Sequence, residues 1–341
     1  MLFDNLFQTL KYPLIYISIF GLFAYIAYMV YYAYRLKSKY GFLRSSSPSS
    51  SRSPSTASGI FTHSFMNSFM TYIRSIHPMM YWVKLPKLTK TAPDGTTVSK
   101  SKKHQSIPFK RFKEEYLKQL RVPTKDESTY LQTVSLRVDR SLGEYKLPLL
   151  RAVPWKFLIS APHVEFGFPF TLGDTIVIPE HKVTQIDAET LLHEKIHIYQ
   201  RMNPTLFHFL YESLFPFVKK VDPKTIDIPD DIRMTEMTNP DDNGDIWMYY
   251  DKGTWYYPSL QLGTSRLTVE MGYPIQHYTI PMRVRMGGQR LLRSLSILNG
   301  FPANVSIYHP NEIFACLLSH QIVTGKKISK SITKILNQDE M

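Results

Sequence analysis

The sequence predicts an α+β domain preceded by an N-terminal transmembrane helix and a flexible basic linker. Three observations carry this expectation. Two short apolar runs, separated by Gly173-Asp174, stand directly ahead of a segment with helical periodicity around Leu191–Ile198. Leu14 to Tyr34 is a stretch of 21 residues without a charge. The net charge of +13 is also uneven: residues 35–121 hold 17 Lys/Arg against 3 Asp/Glu, whereas residues 122–341 hold 23 against 24. The body is nearly neutral, so the basic excess speaks for an anionic surface near the N-terminal third.

Taken in order, residues 1–13 form a tail and 14–34 the expected anchor. At 1.5 Å per residue, Leu14 to Tyr34 spans about 30 Å, the thickness of a bilayer's hydrocarbon core, and its C-terminal tyrosines suit the interface. Arg35, Lys37, Lys39, Arg44 and Arg52 follow the span while only Lys11 and Asp4 precede it. The positive-inside rule then makes this a single-pass membrane protein with a cytoplasmic C-terminal body, its basic flank against anionic lipid headgroups. The lone cysteine, Cys316, excludes an internal disulfide and is compatible with a reducing compartment. Set in the apolar run Ile313–Leu318, it reads as a core filler.

Residues 35–105 read as a juxtamembrane linker. Ser45 to Ser58 is Ser/Pro-rich and cannot bury enough apolar surface to offset its ordering entropy. Within the linker, Phe61, Phe65, Phe69, Ile73 and Ile76 recur at helical spacing over 59–77. This amphipathic helix either lies on a membrane surface or docks on the body. Pro86, Pro93 and Lys100-Ser101-Lys102-Lys103 place the main boundary near residue 106, and the folded domain is expected over 106–341.

In that domain, Phe109 to Arg121 suggests a short amphipathic helix and Phe166 to Pro179 a hairpin or successive strands. Asp187 and Glu189 suit a first helical turn and Asn203-Pro204 a stop, giving a helix of roughly Ile186 to Arg201. It contains His193-Glu194-Lys195-Ile196-His197. Residues four apart share one helix face, so His193 and His197 can both offer an imidazole to one tetrahedral Zn²⁺, with Glu194 in reach of a water bound to it. Leu206 to Phe217 reads as a second apolar helix, and Ile246–Tyr250 and Thr254–Tyr257 as an aromatic hairpin about Asp251-Lys252-Gly253. Asp241-Asp242-Asn243-Gly244-Asp245 lacks the glutamate that a calcium loop needs.

These letters resemble the zincin superfamily of zinc metallopeptidases, in particular its gluzincin-like branch. The resemblance is specific in His193-Glu194-x-x-His197 and covers at most Pro162 to Ile322. It implies a zincin-like catalytic domain in which Glu194 is the general base and a glutamate on a later helix completes the site. It also implies a peptide or protein substrate pairing with an edge strand ahead of the motif helix. A metzincin would continue with a Gly and a third His, but this chain has Gln200 and Asn203 there. Glu312, behind Pro310 at the start of an apolar helical run, is the expected third ligand, with Glu270 and Glu212 as substitutes. His309 and Tyr308 are candidate transition-state stabilisers or, alternatively, capping and packing residues. Two further readings belong to other classes. One is a non-catalytic membrane adaptor that recruits an acidic partner. The other, nucleic-acid tethering, is disfavoured by the neutral body and the lack of a nucleic-acid module.

Overall fold

The computed structural model describes residues 61–76, 108–242, 244–262, 268–276, 282–285, 289–302 and 305–337. All of them fall within one unit, Pro54–Gln338.

Helix α1 (His63–Ser75) is capped by Thr62, whose hydroxyl accepts from Phe65 N. Its spacing puts Phe65, Phe69, Tyr72 and Ile73 on one buried face. That face packs on Phe112 and Tyr116 of α2 (Phe109–Leu117), so of the two expected environments the helix occupies the body of the protein. The docking is tight. Gly173 sits at φ 60°, and a Cβ there would lie 2.5 Å from the Ser64 backbone.

After the two-residue strand β1 (Leu120–Arg121) comes α3 (Lys125–Glu144), 20 residues long and opened by a reciprocal capping box between Thr124 and Glu127. A short helix α4 (Pro148–Ala152) leads into β2 (Phe157–Ser160), β3 (Phe170–Leu172) and β4 (Thr175–Pro179). These strands form a sheet in the order β1-β2-β4-β3, with β2 parallel to β4 and β3 closing a two-residue hairpin onto β4 at Gly173-Asp174.

Asp187 then caps α5 (Ala188–Met202), accepting from Thr190 N at 2.8 Å. This is the helix that carries the His-Glu-x-x-His letters. Its rotation is fixed from behind by Lys195, which is 0% exposed. The Lys195 ammonium donates to Asp139 Oδ1 (3.2 Å), Arg151 O (3.1 Å) and Val153 O (2.7 Å) and stands 4.0 Å over the Trp155 ring. A buried cation is tolerated here because all three donors are used.

The chain continues through α6 (Pro204–Leu214), β5 (Val218–Val221), β6 (Ile226–Asp227) and the single turn α7 (Asp230–Arg233). It then forms a second sheet with β7 (Ile246–Asp251), β8 (Thr254–Leu262), β9 (Thr268–Gln276), β10 (Met282–Val284) and β11 (Arg290–Leu291). The order is β5-β7-β8-β9-β10-β6, with β11 also on β9. The expected aromatic hairpin is β7–β8, turning at Lys252 and Gly253, both with positive φ as a two-residue turn of this hand needs. Finally α8 (Pro310–Val323) packs along α5, and α9 (Lys330–Leu336) closes the same core through Leu336.

The expected architecture needs one correction. The structure is α+β, but among the described residues no helix is long and apolar enough to cross a membrane. The longest, α3, carries Arg137, Asp139 and Arg140. The most apolar, α6 and α8, have 11 and 14 residues, and even the longer reaches only about 21 Å of the ~30 Å required. The expected anchor at Leu14–Tyr34 and most of the linker lie outside the described residues.

Candidate metal centre and cleft

Three side chains from two helices converge. His193 and His197, one turn apart on α5, bring their Nε2 atoms to 2.9 Å with the rings nearly perpendicular. From the first turn of α8, Glu312 places Oε2 3.4 Å from His193 Nε2 and Oε1 3.4 Å from His197 Nε2. Ligand atoms about 2.0–2.1 Å from a tetrahedral ion stand about 3.3–3.4 Å from one another. The two nitrogen-to-oxygen distances match that spacing, each to a different oxygen of Glu312, while the two nitrogens stand closer together at 2.9 Å. Asp241 brings a carboxylate oxygen within 4.8 Å of the His197 and Glu312 ligand atoms, so these residues are positioned to bind a metal ion.

The tautomer of His197 follows from its neighbour. Gln200 Nε2 donates to the backbone carbonyl of Asn311 (3.0 Å), which can only accept, so the amide oxygen must face His197 Nδ1, 2.7 Å away. Nδ1 then carries the proton, and the Nε2 lone pair points at the site. Gln200→Leu is expected to lower metal affinity about 10–100-fold, the usual cost of losing such an outer partner. Competition with a chelating dye measures this.

Glu312 is held in turn by Asn239, whose Nδ2 donates to Oε1 at 2.8 Å and also contacts the Tyr308 hydroxyl. Burial pushes the Glu312 carboxyl up, but the facing His197 and His193 rings outweigh it and hold the group at about 2. Burial also opposes a proton on His193, yet the Cys316 thiol and Glu312 keep its proton affinity well above the usual value, while burial lowers that of His197. A metal ion held by the two rings would take the place of that proton.

Glu194 is 4% exposed, lines the cleft, and has its Oε2 buried without a hydrogen-bond partner. Burial, followed by the nearby Asp241 carboxylate, pushes its carboxyl well above the ordinary range. An adjacent cation would pull it part of the way back.

The cleft encloses about 980 Å³. One wall includes Phe168, Pro169 and Phe170 at the edge strand β3. The expected backbone pairing with a substrate meets an obstacle there. Thr171 N donates to Asp241 Oδ1 and Thr171 O accepts from Arg201 Nη2, so both outward groups are already used. At the next outward position Pro169 has no N–H to give.

The remaining candidates separate clearly. Tyr308 lines the cleft, but its hydroxyl is engaged with Asn239 and, at 3.2 Å, Asp242. His309 does not line the cleft; its Nδ1 accepts from Asn311 N and caps α8, which is the alternative role the sequence allowed. Glu270 lines the cleft away from the histidine pair, accepting from Ser306 Oγ and Ile307 N at 2.8 Å. Glu212 is exposed on α6 and outside the cleft. Cys316 is half-buried, packed against the core and also lining the cleft beside His193 and Glu312, because it follows Glu312 by one helical turn and shares its face. Asn239, Asp241 and Gln200 were not singled out as site residues from the sequence. Of these Gln200, one turn after His197, and Asp241, at the head of the acidic run weighed against a calcium loop, carried a local signal.

No family model, curated protein or solved structure matches the chain.

Proposed function

We propose that this chain is a zinc-dependent hydrolase that cleaves peptide bonds. The observation that carries the reading is the set of His193, His197 and Glu312 ligand atoms at 2.9–3.4 Å, with the unpartnered Glu194 Oε2 in the same cleft. Two imidazoles and one carboxylate suit zinc in an open, catalytic coordination that leaves a place for water. When bound, zinc polarises a carbonyl and lowers the pKa of a bound water to about 7.

Each protein group then has a distinct task. Gln200 orients the His197 ring, Asn239 orients Glu312, and the buried surroundings keep bulk water from competing for these bonds. Glu194 Oε2 takes the proton of the attacking water and returns it to the departing amine.

The direct test is metal analysis of the purified full chain together with hydrolysis of a diverse peptide library. One zinc per chain, lost in His193→Ala, and turnover that stops with the metal are expected. Stoichiometric zinc without hydrolysis of any peptide would replace this reading with a non-catalytic binding protein.

A further inference from the structure

We infer that the cleft selects peptides with a positively charged side chain next to the scissile bond, an inference that rests on the hydrolase reading. Seven carboxyl-bearing side chains line the cleft, against Arg293 as the one Lys or Arg among the lining residues. Arg293 is held in place by the carbonyl oxygens of Pro302 and Val305, and its single positive charge is outnumbered by the acids around it. The body as a whole is close to neutral, so this acidity is concentrated in the cleft. Charge of one sign along a low-dielectric wall focuses the field on whatever enters.

Not all of these acids are available. Glu194, Asp241 and Glu312 belong to the metal centre, Asp187 caps α5, and Glu165 accepts from the buried hydroxyls of Tyr72 and Tyr116. Glu270 and Glu189 remain, Glu189 with one oxygen already facing the His320 ring, whose Nδ1 lies 3.3 Å from Oε1. Glu189 precedes His193 by one turn on α5, about 6 Å along the same face. Glu270 comes from β9, in the other sheet, and its donors, Ser306 Oγ and Ile307 N, are neutral and leave its charge intact. An independent sign of a ligand is Glu194 Oε2, an unpartnered polar atom on a 4% exposed residue in this same cleft.

Shape agrees with charge. Phe168 and Leu291 line the cleft although they are 60% and 57% exposed, so an apolar neighbour of the cation also finds a surface. Since β3 offers no backbone pairing at Thr171 or Pro169, recognition falls to side chains, which makes these acids decisive.

The test uses the zinc-loaded full chain and fluorogenic peptides that differ only at the residues flanking the cleavage point, carrying Lys, Gln or Glu. The expected order of kcat/KM is Lys above Gln above Glu, with about ten-fold per step at low salt and less in high salt. Glu270→Gln, which still accepts from Ser306 and Ile307, and Glu189→Gln should each shrink the Lys-to-Glu ratio. Binding of the same peptides, followed by fluorescence anisotropy, reads charge selection without turnover. Equal binding and equal kcat/KM for the Lys and Glu peptides, or ratios unmoved by both variants, would overturn the inference while leaving the hydrolase reading in place. Lys-selective binding without hydrolysis would do the reverse.

Discussion

Glu194→Gln is expected to retain zinc and fold while its turnover falls by about 10²–10⁴, the range typical of losing a general base. The substitution keeps the side-chain volume and one acceptor oxygen but cannot hold the proton. Because Glu194 Oε2 makes no hydrogen bond within the protein, no neighbour is orphaned and the stability cost is small. If anything, removing a buried carboxyl that sits beside Asp241 relieves a like-charge contact. Parallel measurement of zinc content, melting temperature and kcat separates the outcomes. A variant that keeps its zinc and also keeps full turnover would remove Glu194 from the chemistry.

The second large effect concerns the metal itself. Glu312→Ala should weaken zinc binding at least as much as the ~100-fold that loss of an outer-sphere partner can cost, because it deletes a ligand and leaves the two imidazoles and Asn239 Nδ2 without their carboxylate. Glu270→Ala should leave zinc affinity close to that of the parent, since Glu270 binds Ser306 and Ile307 N and not the histidine pair. Zinc titration of the two variants against a chelator decides between them, and equal affinities would reassign the third ligand.

How much of this could be read from the sequence divides along the range of the interactions involved. The motif helix was legible because its signals are local: Asp187 caps it, Asn203-Pro204 ends it, and residues 193 and 197 share a face by periodicity alone. Pro310 likewise announced α8 and put Glu312 in its first turn. The longest helix, α3, went unassigned even though Thr124-x-x-Glu127 and the apolar spacing of Leu131, Val134, Val138 and Leu142 mark it.

Asn239 and Asp241 could not be placed at the site by local reading. They sit in an irregular acidic stretch, and their partners Glu312 and Thr171 are 73 and 70 residues away in the chain. His309 illustrates the opposite hazard: a histidine next to a candidate ligand is drawn off by the orphan N–H groups of its own helix. The membrane-spanning element of the expected architecture was read from an uncharged run with tyrosines at its end and basic residues after it. Among the described residues the apolar helices are short ones that pack in the core.

The seat of α1 also imposes an order on biosynthesis. Tyr72 must wait for Glu165, 93 residues further along, before its hydroxyl has the acceptor it uses in the finished protein. At ordinary translation rates of about 5–20 residues per second, that interval is roughly 5–20 s. For the first part of it, until Phe112 and Tyr116 of α2 are made, Phe65, Phe69 and Ile73 lack the aromatic partners they pack on in the finished protein. A nascent chain in this state offers an aromatic amphipathic helix to any chaperone or apolar surface nearby. The step that ends the exposure is synthesis of the β3–β4 hairpin, whose Gly173 leaves the Ser64 backbone room to approach.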